Sequence, residues 1–379
     1  MTHPPKVIRI AVSAMFFMAG LIFSSWASRI GTIQQKLNLS EAELGAVLFA
    51  LPVGLILSLP ISGWAVTKIG SKKVLAAALT LYGLALISLG LSTTVPMLVG
   101  CLVVFGLGSN AVNISVNTQA VATEAMYPKP ILASFHGLWS LAGFLGAGIG
   151  TLMIGYNIMP VIHFSGIAIV STTTIFICWK YFHEDGAKKT DGEKTRAFVM
   201  PDKSLITLGV IAFCSMVIEG AMFDWSVIYF KKVIMAVGAW QGAGYTAGMC
   251  FMAAGRFVAD WFSHKFGLKA TLQVSGALST IGLLTLVIFP YLYPAIIGFM
   301  FVGAGISSVV PMVYSAAGRS LTMKPGAAIA AVSTISFLGF LIGPPVIGFL
   351  AGLFTLKISF VFLAVMGVCV IAFSTKAKV

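Results

Sequence analysis

The sequence predicts an all-α polytopic membrane protein built as two repeated halves, and three observations lead there. Of the 379 residues, 58% are hydrophobic and only 9% charged, far from the quarter or so of charged residues in soluble domains, and mean hydropathy is +0.99. The apolar residues are gathered into runs close to the ~20 residues that a helix needs to cross a hydrocarbon core of ~30 Å. Short motifs of the first half return in the second at a nearly constant offset, as an internal repeat requires.

The first run, Ile10 to Ala27, follows Lys6 and Arg9 and has the outline of a signal peptide, but it shows no clear small-residue cleavage site and many similar runs follow. It is taken as the first span. The others fall near 42–66, 73–92, 96–121, 131–155, 159–181, 205–230, 240–262, 270–289, 291–317, 326–352 and 356–374, giving twelve transmembrane helices. The interval 182–204 is polar, with mixed charges and too few apolar residues to build a core. It reads as a cytoplasmic linker between an N-terminal half, 1–181, and a C-terminal half, 205–379.

Basic residues test the topology, because Lys and Arg collect in cytoplasmic loops. With both termini inside, those loops hold Lys68, Lys72, Lys73, Lys129, the basic residues of the linker, Lys265, Lys269, Arg319, Lys324, Lys376 and Lys378. The outer loops keep Arg29, Lys36, Lys231, Lys232 and Lys357. The excess of 24 Lys and Arg over 11 Asp and Glu is therefore assigned to orientation in a bilayer and not to nucleic acid. The five cysteines lie within apolar runs without metal-like spacing and read as small core residues.

The repeat is carried by three correspondences. Ser140-Leu-Ala-Gly-Phe-Leu145 matches Ser336-Phe-Leu-Gly-Phe-Leu341 at an offset of 196, Gly106-Leu-Gly108 matches Gly303-Ala-Gly305, and Trp26 matches Trp225. Each is short; their common spacing is what makes them informative.

The interval Gly63-Trp-Ala-Val-Thr-Lys-Ile-Gly-Ser-Lys-Lys73 resembles the signature loop of the major facilitator superfamily, and Gly255-Arg-Phe-Val-Ala-Asp260 with Phe266-Gly267 is similar to its second copy. Thr67 stands where the family's first loop carries an acid, whereas Asp260 keeps one in the second half. Further segments resemble the fucose-permease-like branch, and within it a bacterial group that includes the rhizopine transport protein. They are Trp26-Ala-Ser-Arg29, Leu39-Ser-Glu-Ala-Glu-Leu-Gly45, Asn113-Ile-Ser-Val-Asn117, Phe135-His-Gly-Leu-Trp-Ser140 and Glu219-Gly-Ala-Met-Phe-Asp-Trp-Ser226. The resemblance implies the major facilitator fold, two six-helix bundles related by a pseudo-twofold axis. The first, fourth, seventh and tenth spans would line a central cavity, and access would alternate by rocking of the halves. It also implies a bacterial inner-membrane location.

Against that expectation, the seventh span is the unusual one, because it carries Glu219 and Asp224 near its middle. An ionised carboxylate at membrane depth costs several kcal/mol, and such groups usually face a wet cavity or a partner. Both could belong to structural ion pairs, or one could bind and release protons. Five residues apart, they are rotated by ~140° on a helix of 3.6 residues per turn and do not share a partner. Arg29 is the expected cation for Asp224. Glu219 has no obvious cationic partner in the sequence, which favours its neutral form and makes it the expected proton carrier.

Substrate contacts are sought among polar and aromatic residues of the same spans. Asn110, Asn113 and Asn117 recur on one helical face; a stripe of amides suits the hydroxyls of a sugar or polyol, although intramembrane amides also join helices. Trp26, Trp225, Tyr245, Trp139 and Tyr314 are candidate walls for the apolar faces of such a solute. His136 is a candidate for proton relay or substrate contact, as histidine side chains can be, but it sits near a helix end, where a structural role is the commoner one. Arg256 and Asp260, four apart, are placed to pair as gate or latch.

No phosphate-cradling loop is present, which argues against direct ATP drive, and no cluster of Cys, His and carboxylates is spaced for a metal. The chain is expected to be no enzyme, to need no cofactor, and to act as a monomer whose partners are a small solute, protons and the lipid bilayer. The leading expectation is a proton-coupled symporter of a small hydroxylated solute. Export of amphipathic compounds, and a transport fold that senses a ligand without moving it, are the alternatives.

Overall fold

A computed structural model describes residues 3–128, 131–184, 202–320, 323 and 325–376, with all their side chains except those of Ala133, Asp260 and residues 325–327. Lys129, Lys324, Lys378, most of the linker, and the side chain of Asp260 therefore lie outside the described residues. The first half forms α1 (Pro5–Lys36), α2 (Glu41–Leu48), α3 (Ala50–Ile69), α4 (Ser71–Leu91), α5 (Val95–Glu124), α6 (Leu132–Gly155) and α7 (Pro160–Cys178). The second forms α8 (Lys203–Lys232), α9 (Ala243–Ile288), α10 (Leu292–Ile306), α11 (Val309–Ala317), α12 (Pro325–Leu353) and α13 (Leu356–Ser374). Among the described residues there is no strand, and eleven helical stretches are long and apolar enough to cross a membrane.

Two of the expected spans are each broken into a helix pair, α2 with α3 and α10 with α11, while two others are fused into the 46 residues of α9. The fusion is only apparent, because Gly267 has φ 81° and ψ 165° and turns the chain there. Gly70, between α3 and α4, has nearly the same conformation, φ 86° and ψ 148°. Side chains rarely adopt this region and glycine does so freely, so the two copies of the signature loop end in the same glycine elbow. Helix starts are written locally. Thr94 accepts from the Met97 amide (3.4 Å), Asp202 from that of Leu205 (2.8 Å) and Thr355 from that of Ile358 (3.3 Å). At α2, Ser40 and Glu43 form a reciprocal capping box.

Between apolar helices in lipid there is little hydrophobic drive, so close packing and interhelical hydrogen bonds hold them together. The repeated glycines meet that need at matching places. A methyl group on Gly106 of α5 would lie 2.2 Å from the Leu51 carbonyl oxygen of α3, and one on Gly303 of α10 would lie 2.0 Å from that of Gly248 in α9. Gly108 abuts Tyr82 of α4 as Gly305 abuts Ser279 of α9. In the first half α1 packs on α6 and α7; in the second α8 packs on α12 and α13. Ser24 of α1 adds a hydrogen bond of 2.6 Å to the Gly143 carbonyl of α6.

The chain divides into two compact units, Met1–Asn38 with Val47–Glu193 and Leu39–Ala46 with Lys194–Val379. The segment Leu39–Ala46 thus groups with the second unit. Its residues join the second unit because Gly45 lies against the backbone of Gly348, where a methyl group would be 2.9 Å from the Gly348 Cα. The Glu41 carboxylate also meets the Lys232 ammonium at 2.5 Å.

Candidate functional site

In the second unit α8 is apolar around its whole circumference and is correspondingly buried on nearly every face. Glu219 is 8% exposed there. Its Oε1 lies 3.8 Å from Nη2 of Arg256 on α9. This corrects the expectation that Glu219 has no cationic partner. The two residues sit on different helices, so no local spacing reveals the contact. At 3.8 Å the pair is longer than the ~2.7–2.9 Å of a closed charge-assisted hydrogen bond. It is an electrostatic contact and not a closed hydrogen bond. The expected partner of Arg256 within its own helix, Asp260, has its side chain outside the described residues.

Asp224 is half-buried and makes no ion pair within its unit among the described residues. Arg29, its expected cation, belongs to the first unit, where it is 2% exposed and its Nη2 donates to the Ile158 carbonyl at the turn between α6 and α7. The buried His163 of α7 lies near the same place, beside Ser28 and Gly150. Neither ring nitrogen of His163 has a hydrogen-bond partner among the described residues. Sequence reasoning passed over His163, and only its position in an apolar run signalled that it is buried.

The fourth-span amides differ from one another. Asn113 is exposed, and Asn117 donates to its carbonyl oxygen (2.8 Å) and its Oδ1 (2.9 Å), so these two form a connected polar face on α5. Asn110 is 8% exposed with Nδ2 unpartnered among the described residues, nearer the packed side of the helix. Tyr314 of α11 bonds Ser336 of α12 at 2.8 Å, which fixes its ring.

The aromatic candidates divide in the same way. Trp26 and Trp225 are both fully buried, and neither indole N–H has a partner among the described residues. Trp26 rests on Phe105, ring centroids 6.2 Å apart. Tyr245 is also fully buried and meets Phe223 edge-on at 6.4 Å. Trp139 is half-buried against Phe23, and His136 is exposed, its ring edge-on to Phe16 at 5.2 Å. Within the second unit, then, Glu219 and Arg256 are brought together; within the first, Asn113 and Asn117 are.

Comparison with known proteins gives a consistent result. The profile of the Major Facilitator Superfamily matches residues 10–324 and again 240–377. An uncharacterized MFS-type transporter of Yersinia pestis is 30% identical over 354 residues, covering 93% of this chain and 91% of that one. Membrane protein MosC of Rhizobium meliloti is 28% identical over 376 residues, 97% of this chain and 90% of its own. Among solved structures, the nucleoside transporter NupG superposes with a TM-score of 0.78 at 14% identity, over 98% of this chain and 99% of that one.

Proposed function

We propose, from the premise that the chain belongs to the major facilitator superfamily and is a membrane transporter, that it is a proton-coupled symporter of a small hydroxylated solute. A sugar, polyol or inositol derivative is the solute class. The observation that carries the coupling is Glu219 within a membrane span, 8% exposed and 3.8 Å from Arg256. A carboxylate in that setting has two forms to move between, ionised against the guanidinium or protonated and neutral. Proton uptake would release Arg256 and proton loss would recapture it, a local event able to bias the movement of α8 against α9. Asp224, five residues on, is the second candidate for the same role.

The polar face of Asn113 and Asn117 supports a hydroxylated solute, since amides both donate and accept. In the first unit Trp139 and the less accessible Asn110 and Trp26, and in the second unit Tyr314 with the less accessible Trp225 and Tyr245, are the further proposed solute contacts. The same proposal has the chain act as a monomer in a bacterial inner membrane with both termini in the cytoplasm.

The test is uptake into proteoliposomes under an imposed pH gradient, with a solute first found by thermal shift among sugars, polyols and inositol derivatives. Glu219→Gln is expected to abolish gradient-driven accumulation while leaving solute exchange, and Asp224→Asn is the comparator. Accumulation that persists at wild-type level in both variants rejects the coupling assignment. A chain that binds none of these solutes rejects the substrate class.

A further inference from the structure

The second unit holds a cavity of about 490 Å³ that none of the described candidate side chains lines, bounded by Ser263, His264, Gly267, Leu268, Ser315 and Arg319 together with apolar groups of α11. It lies at the elbow of α9, where the chain turns at Gly267, and beside the end of α11. Its lining carries a guanidinium, an imidazole and two hydroxyls, and no carboxylate among the described residues. Arg319 spends one donor on Ser315 Oγ at 3.1 Å, which steadies the guanidinium over the cavity and leaves its remaining N–H groups for a ligand. Lys265 and Lys269 flank the elbow and are exposed.

The outer flank of the same elbow is aromatic. Trp261 is 59% and Phe266 50% exposed, and Phe262 joins them, its ring 4.6 Å from that of Phe266. The Lys265 ammonium lies over the Trp261 ring at 5.1 Å. Exposed Trp rings with a lysine at the end of a membrane span mark the depth of lipid headgroups. The elbow therefore lies at headgroup depth, with the cavity's cationic donors on one face of α9 and the exposed rings on another.

We propose that this cavity binds a phosphate-bearing anion, presented to it as the headgroup of an anionic phospholipid. Arg319 is the principal ligand, because its planar fork matches phosphate oxygens, and His264, Ser263 and Ser315 complete the donor set. The elbow's place at headgroup depth, marked by exposed Trp261 and Lys265, favours a lipid over a soluble phosphate as the source.

The experiment uses the purified full-length chain in detergent and reads thermal stability during titration with phosphatidylglycerol, phosphatidylcholine or inorganic phosphate. Phosphatidylglycerol is expected to raise the apparent Tm by several degrees, and phosphatidylcholine to do so far less. Arg319→Gln should raise the half-saturating phosphatidylglycerol concentration at least five-fold, while Arg319→Lys keeps part of the effect and guards against a folding defect. Lys357→Gln, remote from the elbow, should leave it unchanged. An Arg319-dependent shift with phosphatidylglycerol alone supports the headgroup, and an equal shift with inorganic phosphate supports the phosphate site but a soluble source. Equal shifts with both lipids, or a titration indifferent to Arg319→Gln and His264→Gln, overturn the proposal.

Discussion

Replacing Glu219 by glutamine leaves the Arg256 guanidinium facing a neutral amide, and the cost can be worked from the geometry. At the observed 3.8 Å an effective dielectric of about 20 gives an attraction of roughly 4 kcal/mol. Desolvation of both groups offsets much of it, and breaking a fully buried pair from one side costs about 3–5 kcal/mol. The side chains are 24% exposed for Arg256 and 10% for Glu219, so the expected loss is smaller, about 2 kcal/mol for Glu219→Gln or for Arg256→Gln. The double variant should lose less than the sum of the two, leaving a coupling of about 1–2 kcal/mol. Unfolding of the purified chain in mixed micelles, followed by denaturing detergent titration, measures all four corners of the cycle. Strict additivity would show that the two side chains do not interact, and the proposed switch between them would fall with it.

Three further variants test helix packing and a buried imidazole. Gly303→Val puts branched carbon against the Gly248 carbonyl, where even a single methyl group would sit at 2.0 Å; the helices must separate, at a cost of at least ~1–3 kcal/mol. Gly106→Val should be equally damaging, and normal thermal stability of either variant would refute the close helix contact. His163→Phe should be neutral or stabilising by up to about 1 kcal/mol in the same micelle assay, since it removes ring nitrogens that have no partner among the described residues. A loss above that amount would show that the imidazole holds a partner, for instance an ordered water.

The sequence was informative wherever the signal is local or repeated. The apolar runs gave the helices, because a bilayer admits little else. Gly70 and Gly267 belong to the two segments that resemble copies of one signature loop, and they share a positive φ. The amide stripe was legible through helical spacing alone, and Asn117 does reach Asn113. The buried carboxylates were legible through their cost, which makes charge in an apolar run conspicuous whatever surrounds it.

What surrounds them was not legible. Arg256 was assigned to Asp260 because four residues on one helix is the contact a sequence reader can see, yet its guanidinium also lies beside Glu219 of another helix. Leu39–Ala46 joins the second unit through Gly45, Gly348 and the Glu41–Lys232 pair, whose members are 191 residues apart. Trp26 and Trp225 were read as equivalent, and the shared burial of their indoles is visible only once the neighbouring helices are in place. The sequence by itself determined the class, the spans and the repeat, because these depend on hydropathy and backbone satisfaction along the chain. The tertiary structure alone decided which cation meets Glu219, because rotation and packing of helices about one another set that distance, and neither is written in local spacing.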